Sequence, residues 1–171
     1  MEEYFEIVDE LGNVIGLANR KECHNHTFLL HRVSHIIVFN LKDELYLQKR
    51  ADTKDIQPGK WDTSVGGHLL PGETYEIAAY RELREELGIV STDITLEHLY
   101  DYIWQSDCEQ EMVRTFKIVY GGPIIFDPKE IETGRFWRLK EIEANLRNNI
   151  FTPNFVEEYQ RMGDFFYHLG W

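Results

Sequence analysis

GHLLPGETYEIAAYRELREELGI, residues 67–89, decides the reading of this chain. The spacing predicts a helix from about Thr74 to Leu87. Thr74 is a good N-cap, Glu76 places acid in the first turn, and Gly88 stops the helix. At about 100° per residue, Glu82, Glu85 and Glu86 fall within one arc of about 100°. Ala79, Leu83 and Leu87 lie beside that arc, four residues apart, and form a stripe for burial. Three carboxylates on one helical face repel one another, which costs stability unless something binds there. A hard divalent cation with oxygen ligands suits such a face, and magnesium usually shares its shell with phosphates. Arg81 and Arg84 flank the acids and can pair with Glu85, Glu73 or their neighbours. The plainer alternative is a solvated face laced with ion pairs.

Working outward, EYFEIVD alternates apolar and polar residues and reads as a strand ending in the turn Asp9–Asn13. RVSHIIVFN, from Arg32, reads as a strand, and its Ile36–Phe39 run predicts burial on both faces. LYLQKR from Leu45 follows a turn as a hairpin partner. Trp61–Val65 reads as a short strand between the Pro58–Gly59 and Gly66–Gly67 loops. Beyond the helix, strands are expected at Ile94–Trp104, Glu111–Tyr120 and Glu132–Leu139. Helices are expected around Glu141–Asn148 and from Thr152-Pro153-Asn154 to about Leu169. Strands and helices interleave, so the expected fold is α/β or α+β, a sandwich around a mixed sheet. Residues 1–171 fit one domain, with 1–30 as an N-terminal strand and loop extension and 154–169 as a C-terminal helix.

The 171 residues are 43% hydrophobic and 13% aromatic, enough to build a core. With 18 basic and 30 acidic residues the net charge is −12, which argues against nucleic-acid or membrane-surface partners. An anionic ligand then needs a cation to bring it in. Cys23 and Cys108 make no disulfide framework and no Cys-x-x-Cys spacing. The start MEEYFEIVDE lacks the blocks of a signal peptide, and no apolar run approaches a membrane span of roughly 18 residues. A cytoplasmic protein is expected.

The order Gly67, five residues, Glu73, seven residues, Arg81-Glu82-Leu83, one residue, Glu85-Glu86, one residue, Gly88-Ile89 resembles the Nudix box of Nudix hydrolases at every defining position. The resemblance implies an α/β/α sandwich with a loop–helix–loop metal site. It also implies attack of water on a diphosphate linkage in a nucleoside diphosphate derivative or nucleotide, with magnesium or manganese as cofactor. On that resemblance Glu82, Glu85 and Glu86 are metal ligands, Arg81 orients them, Glu73 supports the site and Gly67 supplies the tight backbone against the substrate. The base is open among Glu86, Glu109 and Glu111. Metal ions suit this chemistry because they neutralise phosphate charge and lower the pKa of water.

A second resemblance covers LHRVSHIIVFNLKDELYLQKRADTKDIQPGKWDTSVGGH, which is similar to type I isopentenyl-diphosphate isomerases of the same superfamily. It implies a further metal set in His24, His31, His68, Glu109 and Glu111, and diphosphate-holding roles for Arg50 and Lys54. Two departures stand against isomerisation. Gly66 occupies the place of the catalytic cysteine, and Asn154, in the FTPNF segment, that of a carbocation-stabilising aromatic residue. The readings are therefore a hydrolase, an isomerase-like enzyme, or a non-catalytic domain that binds a diphosphate ligand. His35, inside an apolar strand, reads as a packing residue. Trp61, Trp104 and Trp137 read as core or pocket wall, one of them with Tyr102 able to stack on a base. The substrate's identity is not legible, and a homodimer is an open option.

Overall fold

The computed structural model describes residues 2–54, 57–90, 92, 94–129 and 131–168. The chain starts with an antiparallel hairpin, β1 (Tyr4–Val8) and β2 (Val14–Asn19). Asp9 closes it by accepting from the backbone N of Leu11 and Asn13 and from Asn13 Nδ2, each at 2.9 Å. The turn is where the sequence puts it, but β2 has no sequence signal. Its Val14, Ile15 and Leu17 stay exposed, so no buried face imposes a pattern of two.

A single helical turn, α1 (Arg20–Cys23), follows. Asn19 accepts from Glu22 N at 2.9 Å and Glu22 Oε2 accepts from Asn19 N at 2.8 Å, a reciprocal capping box. Next come β3 (Leu30–Phe39), β4 (Leu45–Arg50), β5 (Trp61–Asp62), β6 (Val65–His68) and α2 (Tyr75–Leu87). The remaining elements are β7 (Glu97–Gln105), β8 (Gln110–Val119), β9 (Ile131–Trp137), α3 (Leu139–Asn145) and α4 (Pro153–His168). The helix end expected at Leu169 lies outside the described residues.

Some boundaries differ from expectation. β3 begins two residues earlier than Arg32, because Leu30 and His31 already pair with β8. The expected Trp61–Val65 strand is two, broken at Thr63-Ser64. There the buried Ser64 hydroxyl donates to Tyr46 O and accepts from Val38 N, taking over bonds that a ladder would make. β7 begins at Glu97 rather than Ile94.

The described strands form one mixed sheet. β3 is central, running parallel to β8 from Leu30↔Gln110 to Phe39↔Val119 and antiparallel to β6 from Val33↔His68 to Ile36↔Val65. Its residues alternate between two cores. Ile36 and Val38 join Tyr46 and the Ala79, Leu83 and Leu87 stripe of α2. Ile37 and Phe39 join Leu45, Leu47 and the Phe155, Tyr159, Met162 and Phe166 face of α4. Helices thus cover both faces, as the sandwich expectation requires. α2 is capped at both ends: Thr74 accepts from Ile77 N, and Gly88, at φ 68, donates to Arg84 O. Ile89 N reaches back to Leu83 O, completing a Schellman stop.

Candidate active site

An open cleft of about 1140 Å³ runs between the end of β6, the acidic face of α2, and residues His24, Arg50, Lys54, Gln57 and 105–109. On its α2 side stands Arg81. Its guanidinium gives Nε and Nη2 to the two oxygens of Glu73, both at 2.8 Å, a bidentate pair. Nη1 reaches Glu82 Oε1 at 2.5 Å and Nη2 also donates to His68 O at 3.0 Å. Arg81 therefore fastens the loop before α2, the helix face and the end of β6 together. That hydrogen bonding holds the Glu73 carboxyl below its usual range. Burial pushes Glu82 up, and Arg81 only partly offsets it.

Gly67 explains how Glu82 is seated. A Cβ built there would stand 2.1 Å from Glu82 Cδ and Oε1, so only glycine leaves room for the carboxylate against β6. Glu85 is half exposed, 3.5 Å from Arg81 Nη1, and Arg84 approaches it from the solvent side at 3.7 Å. Glu86 accepts from Gln48 Nε2 at 3.0 Å. All three glutamates line the cleft.

The second group forms at the other end of the cleft. The α1 cap places His24, β3 places His31, and β6 places His68. The hairpin loop between β7 and β8 supplies Glu109. His26 binds that loop, with its ring Nδ1 2.7 Å from Asp107 O and its backbone N donating to Cys108 O at 3.0 Å. One ligand atom from each of His24, His31, His68 and Glu109 lies within 4.8 Å of the others. His24 Nε2, His31 Nε2, His68 Nε2 and Glu109 Oε2 are all buried without a hydrogen bond. His24 Nε2 and Glu109 Oε2 approach to 3.0 Å, but not in hydrogen-bonding geometry. Buried polar atoms left unpaired are costly, and the four converge so that they could hold a metal ion.

The donor atoms have the protonation that a metal would need. His31 Nδ1 sits 2.8 Å from Leu29 O, which fixes its proton there and leaves Nε2 as a lone pair. Burial and neighbouring His68 push His24 down to about 4, and burial also lowers His31, so both rings are neutral at pH 7. Phe5 forms an apolar floor, its ring 4.4 Å from that of His68 and 5.5 Å from that of His31. Burial and the charge of Glu111 push Glu109 up to about 7. Glu111 stands just outside the group of four, 3.5 Å from His68 Nε2.

The chain as a whole has relatives. The sequence profile of the NUDIX domain matches residues 29–159. The chain belongs to the Nudix family. It is 35% identical over 152 residues to an uncharacterized Nudix hydrolase of Yersinia pestis, covering 89% of this chain and 81% of that one. It is also 32% identical over 160 residues to isopentenyl-diphosphate Delta-isomerase 1 of Photorhabdus laumondii, with 90% of each chain covered. A crystal structure of a Deinococcus radiodurans protein superposes with a TM-score of 0.82 at 25% identity, covering 93% of this chain and 98% of that one. As a Nudix hydrolase the chain is a pyrophosphohydrolase, an enzyme of acid anhydrides in phosphorus compounds. Among the described residues no helix is long and apolar enough to cross a membrane.

The Nudix cleft also receives Arg50 and Lys54. Arg50 Nη1 binds Asp62 Oδ2 at 3.1 Å, and Asp62 Oδ1 accepts from Thr63 N and Thr152 Oγ1, both at 2.8 Å. Sequence reading does not single out Gln48, Asp62 or Thr152, which fix site side chains through bonds between distant segments. Trp104 lines the cleft, whereas Trp137 is core. Tyr102 is buried, its hydroxyl donating to Glu158 and Arg161 lying 4.3 Å over its ring, and it does not line the cleft.

Proposed function

We propose that this Nudix enzyme hydrolyses the diphosphate linkage of a nucleoside diphosphate derivative or nucleotide in the presence of magnesium or manganese. The observation that carries the reading is the seating of Glu82 in the cradle of Gly67, locked by Arg81 and Glu73. Glu82, Glu85 and Glu86 are the ligands for the ion on α2. When bound there, a divalent cation neutralises phosphate charge and acidifies water. Arg81 keeps Glu82 in place and spends its remaining donors on Glu73 and His68 O, so that the ligand face does not drift. Arg50 and Lys54 hold the anionic oxygens of the substrate from the opposite wall, Arg50 being braced by Asp62. The histidine set, with three nitrogens and a carboxylate, suits a transition metal better than magnesium.

The test is a panel of nucleoside diphosphate derivatives at fixed magnesium, read by phosphate release after phosphatase coupling. Turnover of at least one member, abolished by chelation, is expected; silence across the panel overturns the proposal. The histidine set and the likeness to an isomerase favour a second reading, isomerisation of a prenyl diphosphate. Gly66 counts against it, since no thiol stands where the resemblance calls for one. No deuterium should enter isopentenyl or dimethylallyl diphosphate from heavy water, as followed by NMR; incorporation would establish the second reading instead.

A further inference from the structure

Gly66, His35, Thr115 and Tyr100 form one row across β6, β3, β8 and β7, paired in register. Residues opposite one another in a sheet share a face, and this face is the one α4 covers. There Glu158 of α4, only 1% exposed, gathers the row. Its Oε1 accepts from Tyr100 OH at 2.7 Å and Thr115 Oγ1 at 2.8 Å. Its Oε2 accepts from Tyr102 OH and faces His35 Nδ1 at 2.9 Å. With a donor for every favourable lone pair, Glu158 has the surroundings of a carboxylate rather than an acid.

A buried carboxylate needs a countercharge, and the ring bound to it is His35. Burial pushes His35 down and Glu158 up, but in each case their mutual hydrogen bond and charge outweigh it. The ring is thus anchored at Nδ1, and its other edge points away from Glu158. That edge meets Gly66: a Cβ there would lie 3.1 Å from His35 Cδ2 and 3.3 Å from Nε2. His35 and Gly66 both line the cleft. Any side chain at residue 66 would cover the Cδ2–Nε2 edge, and glycine leaves it open.

We infer that His35 is a substrate-contacting residue, its Nε2–H donating across Gly66 to an anionic phosphate oxygen, with Glu158 holding the ring from behind. The inference rests on reading the cleft as a diphosphate site, and it gives Gly66 a purpose. Where an isomerase-like chain would place a thiol, this one opens a window onto an imidazolium. In a chain of net charge −12, a fixed cationic donor in the floor of the cleft complements Arg50 and Lys54 in the wall.

The test uses the full-length protein and methylenediphosphonate, a diphosphate that cannot be hydrolysed, titrated calorimetrically with magnesium present. Asparagine can imitate Nδ1 of histidine and glutamine Nε2, so two variants separate the two edges of the ring. His35→Asn should keep the bond to Glu158 yet weaken binding about tenfold or more, the worth of a charge-assisted contact. His35→Gln should hold affinity closer to wild type while lowering the thermal midpoint. Gly66→Ala, which removes none of the groups that bind Glu158, should weaken binding by covering Nε2, and carries the test should either histidine variant misfold. Wild-type affinity in Gly66→Ala or His35→Asn overturns the inference, as does failure of the wild-type protein to bind methylenediphosphonate. Absence of hydrolysis in the nucleotide panel, with this binding pattern intact, would instead sink the hydrolase reading and leave the contact standing.

Discussion

Replacing Gly67 by alanine tests how the ligand face of α2 is seated. The backbone at this position lies outside the left-handed region, so an alanine is strained only by what its methyl meets. It meets Glu82: the new Cβ stands 2.1 Å from Cδ and Oε1, while ordinary contact begins at 3.4 Å. The carboxylate must retreat by about 1.3 Å, the difference between the two. On an exposed side chain that would cost little. Here the Glu82 side chain is 14% exposed and Arg81 Nη1 holds it at 2.5 Å. Losing this charged hydrogen bond costs about 1.5–3 kcal/mol. At roughly 2–4 °C per kcal/mol for a chain of this size, the thermal midpoint should fall by about 3–12 °C. A catalytic group displaced by about 1 Å costs about 10²-fold in rate, so kcat should fall by that order. Steady-state hydrolysis with magnesium and thermal unfolding measure both effects. A double-mutant cycle isolates the cause, because Glu82→Ala removes the group the methyl strikes. On that background Gly67→Ala should cost almost nothing more, giving a coupling close to the whole single-mutant penalty. Additive losses, or wild-type turnover in Gly67→Ala alone, would refute the reasoning.

Four further outcomes are expected. Glu85→Gln and Glu86→Gln should each lose about 10²-fold or more in metal-dependent rate, since an amide cannot neutralise the cation; steady-state kinetics with and without chelator decide this. Arg50→Ala should raise KM or lower kcat at least about tenfold, and it should also lower the thermal midpoint slightly, because Asp62 loses its 3.1 Å partner. Glu73 has a folded pKa below the ordinary 4.5, so its stabilisation is fully present above about pH 4.5 and is lost as pH falls through the folded value. Glu73→Gln should therefore be less stable than wild type at neutral pH and show a shallower loss of stability on acidification, as read from denaturant midpoints across pH. Finally, metal analysis of the purified protein should find a transition metal, lost in His31→Ala while the fold is kept by circular dichroism; retention of the metal by that variant would remove the histidine set from consideration.

What could be read from the chain depended on how far apart the cooperating residues stand. The α2 site was legible because Glu73, Arg81, Glu82, Glu85 and Glu86 sit on one loop and one helix, where periodicity alone puts the acids together. The histidine set was legible only through resemblance, since α1, β3, β6 and a hairpin loop each contribute one member. The capping box of Asn19 and Glu22 that positions His24 does have a local signature, three residues apart, although four helical residues give no hydrophobic period to support it. Glu158 had none at all. On the amphipathic C-terminal helix it looks like one more surface acid, and its meaning comes from His35, 123 residues away. Arg50 read, through the resemblance, as a residue that holds the diphosphate; its tie to Asp62 and, through it, Thr152 needed the folded chain.

The parallel ladder between β3 and β8 has a consequence for how the protein is assembled. Pairing Leu30 with Gln110 closes a loop of about 80 residues, whose entropy must be surrendered before any contact across it gives a return. His31 and Glu111 meet only through that closure, and so do His35 and Thr115. The α2 acids, by contrast, lie within one local unit that forms from its own caps and apolar stripe. The cleft therefore joins an acidic wall built from local contacts to two carboxylates, Glu109 and Glu111, that reach it only through the long closure. An ion held at the histidine end would gain Glu109 only after that closure, so through this one ligand it would slow the ladder's reopening rather than guide its formation.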